Sequence, residues 1–280
     1  MPWIGVTDPL RGDGMMVLVE TPFDAMLSLL PDAEGRHWPQ IFWAESLDSF
    51  RYSRQVSYQF VPEGGYVALA KAYREVAKRN GRVVPLREKL ARKPDVGLLK
   101  GAPVLWGGTD VTDFIREARC FGILRAVLGN AHHGLRDPES LRDLNNSGYI
   151  TSMYDSFADI LPGPTGHGRD DIAETALHVR PGAGPATGWV DAMNTYATRS
   201  SSFALRALKT YVEKEVARYG TNGRFIDVDM AIHPREDWHP EHTFDRRQDI
   251  RYRREAFAWL DDLGLVLGTE HGNDWGIEFV

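Results

Sequence analysis

From residue 100 onward, strand-like and helix-like segments alternate along the chain, and this alternation limits the fold more than any other feature. Strand-like runs occupy residues 102–106, 123–128, 149–154, 225–231 and 265–269. Helical periodicity fills residues 112–120, 137–147, 201–219 and 245–263 between them. The clearest helix start is Asp137-Pro138-Glu139-Ser140, an N-cap with proline at the first turn, and Gly148 follows its end. Gly220 and Gly264 stop the next two helices in the same way. Such a series predicts parallel βα units. Runs such as Pro103-Val104-Leu105-Trp106 suit strands covered on both faces.

Five units fit either a doubly wound sheet or part of a (β/α)8 barrel. No Gly-x-Gly-x-x-Gly follows a strand, and Pro181-Gly182-Ala183-Gly184-Pro185 follows no strand, so the nucleotide-binding reading loses ground. The expectation is a partial (β/α)8 TIM barrel over residues 63–280 that does not close, because roughly 30 residues per unit leave it short of eight. The stretch 161–189, rich in Gly and Pro, reads as a long loop or lid. Residues 1–62 differ. Short apolar runs, among them the alternating Val56-Ser57-Tyr58-Gln59-Phe60, predict antiparallel strands, and helical spacing begins near Gly65.

Composition excludes several classes. Lys plus Arg is 33 against 39 Asp plus Glu, a net charge of −6, which argues against nucleic acid as a partner. The single cysteine, Cys120, excludes an internal disulfide and a cysteine metal cluster. No run approaches the roughly 18 apolar residues of a spanning helix, so no membrane partner is expected. No signal peptide is visible at the N-terminus, which leaves the compartment open between cytoplasmic and secreted.

Chemistry in such folds gathers at the carboxyl ends of the strands. Asp227 and Asp229 in Phe225-Ile226-Asp227-Val228-Asp229 share one face if the strand runs through both. Glu270 follows the next strand. Two carboxylates on adjoining strand ends are what a retaining glycosidase needs, one to attack the anomeric carbon and one to protonate the leaving oxygen. Trp275 is a candidate apolar wall for the acid. Trp106, Tyr154, Trp189, Trp238 and Trp275 fall at strand ends or in the following loops, where flat rings can stack on a sugar or simply cover the core. His132, His133, His233, His239 and His242 read as loop histidines with one or two substrate contacts, His132 foremost. A zinc site using Asp227, His132 and His233 is the metal alternative, although no His-Glu-x-x-His occurs. No cofactor is expected, and a structural calcium on Asp237 and Glu241 stays open.

Several segments together resemble the catalytic barrel of the endo-α-N-acetylgalactosaminidase group, glycoside hydrolase families 101 and 129 with related bacterial glycosidase-like proteins. These are Gly64-Gly65-Tyr66-Val67-Ala68-Leu69, Leu86-Arg87-Glu88-Lys89 with Pro94, Leu99 to Trp106, Tyr149 to Asp159, Phe225-Ile226-Asp227-Val228 and Gly268-Thr269-Glu270. The resemblance implies Asp227 as nucleophile, Glu270 as acid/base and Asp155 as a sugar-hydroxyl contact. It implies retaining hydrolysis of an α-linked sugar, N-acetylgalactosamine in the characterised families. It also implies that residues 1–62 are the end of a β-sandwich domain. Family members are longer, so a C-terminal barrel segment and further domains of a parent chain are expected as partners. The other readings are a non-catalytic glycan-binding remnant and the metal-dependent barrel hydrolase.

Overall fold

The computed structural model describes residues 2–106, 111–129, 137–161 and 177–280. The chain divides into two compact units, Met1–Val83 with Pro234–Glu236 and Thr243–Ile250, and the remainder.

In the first unit, β1 (Trp3–Thr7), β2 (Gly14–Val19) and β5 (Val56–Val61) form an antiparallel sheet in the order β1-β2-β5. A hairpin of β3 (Ala25–Pro31) and β4 (His37–Trp43) forms a second, two-stranded sheet. Helix α1 (Gly65–Arg79) belongs here as well. Its Leu69 and Val76 pack on Met16 and Leu18 of β2, and this compact unit runs on to Val83. The helix cannot bury its apolar stripe alone, and the sheet face supplies the partner. Antiparallel pairing of residues 1–62 matches the reading from sequence.

The second unit is mixed α/β. It contains α2 (Leu86–Arg92), a 3-10 segment (Pro94–Leu99), β6 (Val104–Leu105), α3 (Val111–Cys120), β7 (Val127–Leu128) and α4 (Pro138–Asn146). There follow β8 (Ile150–Ser156), β9 (Asp159–Ile160), β10 (Thr187–Val190), β11 (Thr195–Thr198), α5 (Ala204–Tyr219), β12 (Gly223–Asp227), the later part of α6 (Arg246–Asp262) and β13 (Val266–Thr269). Strands β6, β7, β8, β12 and β13 are parallel and lie side by side in chain order. An order that never reverses has no switch point, and the sheet curls into a half-barrel. All five expected strands are present, with β7 confined to Val127–Leu128 against the expected 123–128 and β12 at Gly223–Asp227 against the expected 225–231. The N-cap of α4 is also as expected, with the Asp137 carboxylate accepting from the Ser140 amide at 2.9 Å and the Ser140 hydroxyl at 2.7 Å.

The period of two decides which side each strand residue serves. On the convex side, Ile226, Leu265 and Leu267 pack with Leu208 and Val212 of α5 and Phe257 and Leu260 of α6. On the concave side, Val127, Ile150 and Val266, all near the starts of their strands, meet Val96 of the 3-10 segment with Leu90 and Leu98. That plug fills the amino-terminal end of the half-barrel and leaves chemistry to the carboxyl ends. Of the expected loop at 161–189, residues 177–189 are described, and β10 begins within them. Strands β10, β11 and β9 make a small antiparallel sheet built directly onto the end of β8. Its strands of two to four residues carry no periodic signal, and only their pairing makes them strands.

Candidate active site

Four strand ends place side chains on the concave face. In the β8–β12 register Tyr154 lies beside Phe225 and Ser156 beside Asp227. A tyrosine leaning along its strand can reach the diagonal position of the neighbour. The Tyr154 hydroxyl does so and donates to Asp227 Oδ2 at 2.5 Å. Its ring lies nearly parallel to Phe225, with centroids 6.1 Å apart. Trp106, just past β6, meets both rings edge-on at 5.7 and 4.8 Å. Two glycines make room for this aromatic floor. A Cβ on Gly129 would sit 2.3 Å from the Trp106 ring, and one on Gly268 would sit 3.1 Å from Phe225. Trp106 remains half exposed, so the floor is open to a ligand. Burial first, then the hydrogen bond to Asp227, holds the Tyr154 hydroxyl far above the ordinary tyrosine range, and the charges of Asp227, Glu270 and Asp155 add to this. The protonated hydroxyl is the donor in this hydrogen bond.

The end of β12 is unusual. The strand stops at Asp227, and Val228 takes a left-handed φ of 50°. The Asp229 amide donates back to the Asp227 carbonyl at 2.6 Å, closing a three-residue turn. A β-branched residue at positive φ is strained, and strain of this kind gathers at functional sites. The turn is braced from several sides. Buried Arg253 of α6 donates to the carbonyls of Asp229 at 3.1 Å and Ile232 at 3.2 Å. The Asn273 amide, from the loop after β13, donates to the Met230 carbonyl at 2.6 Å.

The residues singled out from the sequence separate into two groups. Asp227, Tyr154 and Trp106 come together on the concave face, and Glu270, exposed just beyond β13, acts electrostatically on the same Tyr154 hydroxyl. Asp229 does not share a strand face with Asp227, because the turn at Val228 ends the alternation. Its buried carboxylate accepts from the Phe157 amide at 2.9 Å and ties the end of β8 to that of β12. Asp155 faces the helices instead. It is buried, pairs with Arg224, and accepts from Tyr211 of α5 at 3.0 Å. In that place it cannot reach a sugar on the concave side. Trp275 packs edge-on against Phe257 of α6 at 6.1 Å and belongs to the helix core. Trp238 is half-buried, with its amide donating to the Val179 carbonyl at 3.0 Å. Trp189 is 65% exposed on β10.

Of the described loop histidines, His239 and His242 gather around Asp237, while His233 is exposed. Fully buried Asp237 accepts from the amides of Val179 at 3.1 Å and His239 at 3.0 Å and pairs with His242 Nδ1 at 3.0 Å, and His239 stacks on His242 at 3.9 Å. His132, His133 and the strand ends at 107–110 and 130–133 lie outside the described residues. Among the described residues no group of three or more His, Cys, Asp or Glu is placed to hold a metal, and no helix is long and apolar enough to cross a membrane. Phe225, Gly129 and Gly268 were missed from sequence. Glycine at a strand end is the one signal that could have pointed to them.

The fold is shared with solved glycosidase structures. The α-N-acetylgalactosaminidase NagBb from Bifidobacterium bifidum, in complex with GalNAc, superposes with a TM-score of 0.83 at 20% identity, covering 100% of this chain and 52% of that one. Its Gal-NHAc-DNJ complex gives 0.84 at 22%, covering 100% and 51%. A cycloalternan-degrading enzyme from Trueperella pyogenes gives 0.68 at 12%, covering 99% and 44%. The chain thus spans about half the length of the solved structures it matches. No curated protein matches it significantly. The family described as glycosyl hydrolases related to GH101, GH129, matches residues 117–280, more than half of the chain and all of β8, β12 and β13, and the chain belongs to that family.

Proposed function

We propose that the chain carries the catalytic carboxylates of a retaining glycoside hydrolase acting on an α-linked N-acetylgalactosamine. The observation that supports this most is Asp227 at the end of β12, held by Tyr154, with Glu270 at the end of adjacent β13 acting on the same hydroxyl. In the first step a lone pair of the Asp227 carboxylate bonds to the anomeric carbon. The glycosidic C–O bond breaks, and its electron pair stays on the leaving oxygen, which takes the proton of Glu270. In the second step water attacks the same carbon and gives a proton to Glu270, and Asp227 leaves as carboxylate. Trp106 and Tyr154 form the floor under the sugar ring, and an exposed Trp189 suits stacking on a bound glycan. The choice of sugar follows the name of NagBb, an α-N-acetylgalactosaminidase, and its complex with GalNAc.

In this reading the half-barrel is the first five units of a (β/α)8 barrel. The antiparallel sheets of residues 1–62 are the end of a β-sandwich, and the remaining units come from a longer parent chain. The chemistry needs no cofactor. The test is hydrolysis of aryl α-N-acetylgalactosaminides. Asp227→Asn lowers turnover at least about 10³-fold. Glu270→Gln slows substrates with poor leaving groups about 10²-fold and spares those with good ones. Equal rates for wild type and both variants would end the proposal.

A further inference from the structure

We propose that Tyr154 is a positioning residue for Asp227, its hydroxyl anchoring one carboxylate oxygen so that the other is presented to the anomeric carbon; this rests on the reading of Asp227 as nucleophile. Three observations converge on it. The hydroxyl donates to Oδ2 at 2.5 Å, and among the described residues Oδ1 accepts no hydrogen bond. A carboxylate held by one oxygen keeps its other lone pairs for attack, and the anchored oxygen becomes the carbonyl of the glycosyl ester in the intermediate. The same donor then stabilises charge as that carboxylate leaves again.

The anchor is also rigid. Tyr154 is fixed between Phe225 at 6.1 Å and Trp106 at 5.7 Å, which leaves its ring little freedom to swing away. Asp227 itself is fixed from behind by the strained turn at Val228 and the braces from Arg253 and Asn273. Both ends of the hydrogen bond are therefore set before a substrate arrives, which is where a donor contributes most.

The surrounding charges leave Tyr154 as the donor. Glu270 from the end of β13 and Asp229 from the turn after β12 are both acids. Asp155 on β8 is turned away toward Arg224 and Glu215 on the convex side. Burial, the hydrogen bond to Asp227 and the charges of Asp227, Glu270 and Asp155 favour the protonated hydroxyl, the form that donates to Asp227.

Tyr154→Phe keeps the ring and its stacking and removes only the donor. With an aryl α-N-acetylgalactosaminide bearing a good leaving group, the variant of the 280-residue chain should lose about 10- to 100-fold in kcat with KM little changed. The acid limb of its pH–rate profile should move about one unit to higher pH, since a hydrogen bond to a charged group is worth roughly that much. A loss confined to KM, or an acid limb that stays in place, would make Tyr154 a substrate contact or a packing residue and overturn the proposal. A second readout needs no turnover. In proton NMR, a downfield hydroxyl resonance that vanishes in Tyr154→Phe should shift upfield in Asp227→Asn, because a carboxamide is a weaker acceptor. An absent or unmoved resonance overturns the anchor. A wild-type chain that shows the resonance but cleaves no glycoside leaves the anchor standing and counts against the glycosidase reading instead.

Discussion

Asp155 and Asp227 lie on adjacent strands of one sheet, near the same edge, yet their carboxylates have opposite surroundings. Asp155 faces the helices, buried, paired with Arg224 and bonded to Tyr211, with Glu215 2.9 Å from the same guanidinium. Asp227 faces the hollow of the half-barrel, half-buried, with a single described donor, Tyr154. Both are acids at strand ends, and sequence spacing treats them alike. An acid whose oxygens are engaged by cations and donors suits a structural role, whereas one held through a single oxygen keeps lone pairs for the chemistry proposed above.

This contrast can be broken by exchanging the readouts. Asp155→Ala should destabilise the fold by about 3 kcal/mol, because Arg224 stays buried with only Glu215 as a counter-charge. Chemical denaturation measures it, and Asp227→Asn should leave the same midpoint nearly unchanged. Equal midpoint shifts for the two variants would erase the distinction between the faces. A smaller effect tests the concave floor. Gly129→Val places a side chain where the Trp106 ring lies, which should cost about 1–3 kcal/mol and turn Trp106 outward, visible as a red shift and loss of intensity in its fluorescence. The smallest tests the convex core. Ile226→Val removes one buried methyl between β12 and the two helices and should cost about 0.5–1.5 kcal/mol without touching turnover. A turnover defect in that variant would mean that the two faces are coupled through β12.

The convex side was the easier one to read. Its strands are short apolar runs between helices with a clear N-cap at Asp137 and glycine stops, so local propensity and burial agree there. The pattern marks Asp227 as the polar residue after the apolar run Phe225-Ile226, and the role of nucleophile is what the family resemblance implies for it. The concave side was harder. Asp229 seemed to share a face with Asp227 because nothing in Val228 foretells a left-handed φ, a conformation that valine avoids unless tertiary contacts impose it. Asp155 and Tyr154 alternate by necessity, but the side on which the helices lie settled which of the two enters the site. Trp275 and Trp238 were weighed as sugar platforms by position, and one of them, Trp275, went to the helix core. The small sheet of β9, β10 and β11 left no periodic trace at all.

The sequence by itself determined the number of parallel strands, the helix boundaries and the acids that follow two of those strands, because these follow from local periodicity and capping, whereas the side-by-side order of the strands came from their pairing. The tertiary structure alone decided which face of each strand is hollow, how the chain turns at Val228, and that the Tyr154 hydroxyl meets Asp227. Those depend on contacts between residues some 70 positions apart, whose energies no local pattern encodes.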